Sequence, residues 1–101
     1  MEARETALEV AASHPAFQGH FPGHPILPGV VLLAEAIAAV EAATARPASR
    51  WSLDQAKFLA PVAPGARLAI VQTPLASGAV RFEIREGERT VATGTLSPRP
   101  Q

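Results

Sequence analysis

A chain of 101 residues has room for one compact domain, 1–101, and not for two. Its 48% hydrophobic content is that of a folded protein, and nine basic against nine acidic residues leave no net charge to draw it to nucleic acid or an anionic membrane. The absence of cysteine excludes a disulfide scaffold and a thiolate nucleophile.

Met1 to Glu5 mixes both signs of charge and lacks the basic start and apolar core of an export signal, so a cytoplasmic location is expected. Thr6 to Ala12 is short and mostly apolar and reads as a first strand. Residues 13–28 follow, crowded with Pro15, Pro22, Pro25 and Pro28 and with Gly19 and Gly23. Such a composition gives an ordered but irregular loop. Pro28-Gly29 then opens a helix expected over Gly29 to Thr44. The helix is apolar almost all the way round, which predicts burial on most sides and calls for a sheet that wraps it. Glu35 and Glu41 interrupt it, so it is not a membrane span.

The remainder supplies strands. Trp51 to Leu59 and Leu68 to Thr73 read as two of them, separated by Pro61-Val62-Ala63-Pro64-Gly65. Ala79 to Arg85 alternates strictly, with Val80, Phe82 and Ile84 on one face and Arg81, Glu83 and Arg85 on the other. Glu86-Gly87 is a tight turn before a last strand over Thr90 to Leu96, and Pro98 and Pro100 are expected to end the fold in a frayed tail. Short connections favour antiparallel pairing, so the expected class is α+β: about five antiparallel strands around one long helix. A domain this small shields its core incompletely, and a dimer would relieve that.

The chemistry sits at the loop-to-helix junction. Residues 19–30 read Gly-His-Phe-Pro-Gly-His-Pro-Ile-Leu-Pro-Gly-Val. His20 is held by prolines at a fixed relation to a helix start, whose unpaired N–H groups and positive dipole end can polarise a carbonyl oxygen. A base beside an oxyanion donor is what proton abstraction next to a thioester carbonyl requires. His14, His20 and His24 do not match a standard zinc spacing, and no metal or cofactor is expected.

The run Gly19-His20-Phe21-Pro22-Gly23-x-Pro25-x-x-Pro28-Gly29-Val30 resembles the signature of bacterial 3-hydroxyacyl-acyl-carrier-protein dehydratases, those of fatty acid synthesis and their aryl polyene pathway relatives. The later run Ala56-Lys57-Phe58-x-x-Pro61-Val62-x-Pro64-Gly65 resembles the same family's second landmark. The resemblance implies a hotdog fold and a homodimer with active sites at the subunit interface. It implies that His20 is the catalytic histidine and that the Gly29 backbone N–H holds the thioester carbonyl. Phe21, Pro28 and Val30 flank these two and are expected to contact substrate.

One departure stands out. The family carries a catalytic carboxylate on the helix fourteen residues after the histidine, and here that position is Ala34; the glutamine common four residues later is Ala38. Glu35 is the next residue, about 100° further round the helix. Three readings follow. The first is a hydro-lyase that removes water from carrier-bound 3-hydroxyacyl thioesters, with Glu35 as a candidate acid. The second is a hotdog thioesterase using Glu35 or Glu41. The third is a non-catalytic acyl-binding or partner subunit. Arg46, Arg50 and Lys57 read as scattered surface cations.

Overall fold

A computed structural model describes residues 3–9, 29–63 and 65–99. The elements in chain order are β1 (Arg4–Glu9), α1 (Gly29–Thr44), a single 3-10 turn (Ala48–Arg50), β2 (Trp51–Phe58), β3 (Arg67–Pro74), β4 (Val80–Glu86) and β5 (Arg89–Pro98). The helix has the bounds its sequence predicts, and each strand after it lies within two residues of its expected span. β1 starts at Arg4 rather than Thr6, and residues 10–12 of the expected strand lie outside the described residues.

The five strands form one antiparallel sheet in the order β1-β3-β4-β5-β2. Alternation in β4 places Val80, Phe82 and Ile84 in the core, as its period-2 pattern requires. Leu68 and Ile70 of β3 and Val91, Ala92 and Leu96 of β5 extend the same layer. α1 lies against it through Leu32, Ala36 and Val40, one residue per turn along a single stripe. Gly94 of β5 is a glycine because Phe82 of the neighbouring strand crosses it. A Cβ there would fall 2.5 Å from Phe82 Cε2 and 2.6 Å from the Gln55 carbonyl oxygen.

α1 ends where Ala45 takes a left-handed φ of 57° and its N–H donates to the Glu41 carbonyl at 2.9 Å. Glu41 does more than face solvent: its carboxylate accepts the Ala48 N–H at 2.9 Å and ties the 3-10 turn to the helix. Arg46 lies over the buried Trp51 ring at 5.9 Å, a cation–π contact rather than a free surface charge.

One expectation needs correction and another needs a limit. The chain does not fray at Pro98, because β5 runs through that residue opposite Trp51 and the Arg99 N–H donates to the Arg50 carbonyl at 2.7 Å. Nor is the cover of α1 complete: twelve of its sixteen residues are buried or partly buried, and the other four form one open stripe. Val30 is 69% exposed, and Ala34, Ala38 and Ala42 share its open face. One sheet can cover only one side of a helix, and an all-round apolar sequence does not by itself supply a second cover.

β2 is an edge strand with a break in its parity. Leu53 pairs with Leu96, but the next pair is Gln55 with Thr95, so Asp54 is an extra residue in a bulge. Trp51, Leu53, Ala56 and Phe58 therefore share the helix side, while Gln55 and Lys57 face outward. Among the described residues, no helix is long and apolar enough to cross a membrane.

Candidate functional site

The site is built around the first turn of α1. Gly29 is its first residue and meets the ring of Phe58, the last residue of β2. A Cβ at position 29 would lie 2.9 Å from Phe58 Cε1 and 3.0 Å from Cδ1 and Cζ, so the helix start and the ring approach as closely as a glycine permits. This contact was not predicted. The signal for it is the Lys57-Phe58 pair of the second landmark run, since the residue on the helix side of the strand must meet whatever begins the helix.

Around that junction the surface is apolar and open. Phe58 is 53% and Leu59 58% exposed; Val30, already noted, and the partly exposed Leu53 continue the patch along the helix and the edge strand. Backbone N–H groups of a first helical turn have no intrahelical partner, and here they are flanked by hydrocarbon. Such a setting strengthens their hold on a carbonyl oxygen that gains negative charge.

Ala34 and Ala38 share the open face of α1 with Val30, one turn and two turns further along. The position where the family signature has its carboxylate thus points away from this chain's own sheet. Glu35 is half-buried, rotated off that face, and is not brought to the Val30–Ala34 stripe. His20, Phe21 and Pro28 lie outside the described residues, as do His14 and His24. The structure therefore brings Gly29 and Phe58 together, with Val30 next along the helix on its open face, and turns Glu35 to another side.

With this geometry in place, comparison with known proteins is informative. Residues 1–95 match the family model described as ApeI-like, ApeI dehydratase. The 3-hydroxyacyl-acyl-carrier-protein dehydratase FabZ of Thermus thermophilus is 40% identical, over 94% of this chain and 78% of its own length. The FabZ of Geotalea uraniireducens is 45% identical, over 60% of this chain and 48% of its own length. The chain thus spans about half the length of several curated relatives it matches. Among solved structures, the dehydratase heterocomplex ApeI:P from Xenorhabdus doucetiae superposes with a TM-score of 0.79 at 22% identity, covering 97% of this chain and 88% of that one. The helix and sheet described above are those of a hotdog fold.

Proposed function

The chain belongs to the ApeI-like dehydratase family, and on that premise we propose that it is a hydro-lyase, converting 3-hydroxyacyl thioesters held on acyl carrier protein into trans-2-enoyl thioesters. The observation that carries this reading is the apolar, open start of α1 at Gly29 against Phe58, at the end of the dehydratase signature run. The Gly29 N–H polarises the thioester carbonyl. His20 takes the proton from the α-carbon, the β-carbon–oxygen bond breaks, and a protonated group returns a proton to the departing hydroxyl so that water leaves. Phe21, Pro28 and Val30 contact the acyl thioester. The enolate-like charge is spread by the thioester itself, so neither metal nor redox cofactor takes part. The protein works as a cytoplasmic dimer whose two chains meet across the open face of α1.

A specific observation favours a second form of this reading. Ala34 and Ala38 face away from the chain's own sheet and carry no acid, so the proton for the leaving hydroxyl comes from elsewhere. A hotdog chain with a carboxylate at the equivalent helical position would supply it by docking on this face. The Xenorhabdus doucetiae neighbour is itself a dehydratase heterocomplex. The homodimer is the simpler assembly and the heteromer the better equipped one.

The test is mass spectrometry of products from carrier-bound 3-hydroxyacyl thioesters, with light scattering for assembly. Enoyl thioester that disappears with His20→Ala supports the dehydratase. Free acid would make the protein a thioesterase. No turnover alone, but turnover on adding an acid-bearing family member, supports the heteromer.

A further inference from the structure

On the face of the sheet opposite α1 lies an open groove of about 430 Å³, lined by Gln55 and Lys57 of β2, Arg81 of β4, Thr93, Gly94 and Thr95 of β5, and Leu75. Its layout follows from the register. Lys57 pairs with Thr93 and Gln55 with Thr95, while Arg81 pairs with Thr95 from the other side. The two cations therefore stand at diagonal corners, about 12 Å apart at their Cα atoms by strand spacing and rise per residue. Between them lie two threonine hydroxyls and, at one corner, the Gln55 amide.

The nearby carboxylates are engaged by other groups. Glu83 is on the same outward row as Thr93, but it is held by Arg85 Nε at 2.8 Å and by the Thr90 hydroxyl at 3.1 Å. Asp54 accepts a hydrogen bond from Ser97. Among the described residues, Lys57 and Arg81 make no ion pair, and no acid lines the groove. The groove also depends on the bulge at Asp54, without which Gln55 and Lys57 would turn to the helix side. A bulge that re-aims two polar residues into a hollow with paired cations is a built feature rather than an ordinary solvated strand face.

We propose that this groove binds the phosphate group of a small phosphomonoester, at a site separate from the thioester site on the helix side. Lys57 and Arg81 neutralise the dianion, and Thr93, Thr95 and Gln55 donate to its oxygens. Arginine presents a planar fork and lysine a point charge, a combination that suits a tetrahedral oxyanion. Leu75, 37% exposed at the groove's end, receives an apolar body attached to the phosphate. The site does not depend on the dehydratase reading, and a dimer whose chains meet across the open face of α1 would leave the opposite face of the sheet free.

The test is a backbone amide NMR titration of the full chain with phenyl phosphate, with inorganic phosphate, and with sodium chloride at matched ionic strength. Saturable shifts at Gln55, Lys57, Thr93 and Thr95 are expected for both phosphates, with phenyl phosphate binding several-fold tighter. Lys57→Gln and Arg81→Gln should each weaken binding about tenfold, the loss of one charge-assisted contact. Arg89→Gln, already engaged with Glu86, should leave it unchanged. Equal affinity for both phosphates keeps the oxyanion site and removes Leu75 from it. Shifts reproduced by chloride, or binding retained in the Lys57→Gln/Arg81→Gln double variant with its melting temperature intact, would overturn the proposal. All the substituted positions are exposed, so the variants are expected to fold.

Discussion

Gly29→Ala separates the stability of the helix start from its chemistry. The new methyl group would meet three ring carbons of Phe58 at 2.9 to 3.0 Å, where comfortable carbon contacts begin at about 3.5 Å. The ring must retreat by roughly half an ångström or more. It is 53% exposed and has room to do so, at a rotamer cost of about 0.5–1.5 kcal/mol. Alanine in a helix recovers up to about 1 kcal/mol relative to glycine. The two effects nearly cancel, so the melting temperature should stay within about 4–8 °C of the wild type. Catalysis has no such compensation. Loss of one oxyanion-hole donor costs about 10² to 10³ in kcat, and a displaced donor loses part of that. We expect kcat to fall at least tenfold, with a smaller change in KM. The assay is enoyl thioester formation per folded protein, with folding followed by circular dichroism. Gly29→Ala/Phe58→Leu, which gives the methyl group its space, should recover much of the loss. Wild-type kcat in Gly29→Ala would refute the reasoning, because it would mean that neither the amide nor the ring contact positions substrate.

Ala34→Glu should raise dehydration by about ten- to a hundredfold, part of what a positioned acid contributes; because position 34 lies on the face where two chains meet, the rate is compared per folded dimer. Glu35→Ala should change the rate less than threefold, and damage comparable to His20→Ala would show that Glu35 is the acid. Gly94→Ala forces a methyl group into Phe82 and the Gln55 carbonyl, so it should destabilise by about 3 kcal/mol and lower the melting temperature by more than about 10 °C. Gln72 is 3% exposed, and among the described residues its amide nitrogen has no hydrogen-bond partner. Gln72→Met, of similar shape, should raise stability by about 1 kcal/mol in chemical denaturation.

What the sequence made legible follows from where burial is one-sided. β4 reads clearly because one face is in the core and the other in water, which writes a period of two into Val80 to Arg85. β1 reads poorly because five of its six residues are exposed and the sixth only partly buried, leaving no apolar pattern to mark its ends. The bounds of α1 are marked by Pro28 before it and Pro47 after it, but its cover is not. Apolarity on all sides shows that a surface needs covering, while the single chain shows that its own sheet covers one side. At the site, the 100° between positions 34 and 35 was enough to separate an open alanine from a half-buried glutamate. The Gly29–Phe58 contact joins residues far apart in sequence, and only strand parity through an unforeseen bulge brings them together.

That bulge makes β2 sensitive to length rather than to composition. Upstream of Asp54 the odd-numbered residues face the helix, and downstream the even-numbered ones do. Inserting one residue beside Asp54 would move Gln55 opposite Gly94 and Lys57 opposite Ala92, on the helix side, and turn Phe58 outward, although no core residue had been touched. Asp54→Gly, by contrast, keeps the count and should be tolerated. The strand thus behaves as a reading frame, in which one added residue is far more damaging than a substitution at the same position.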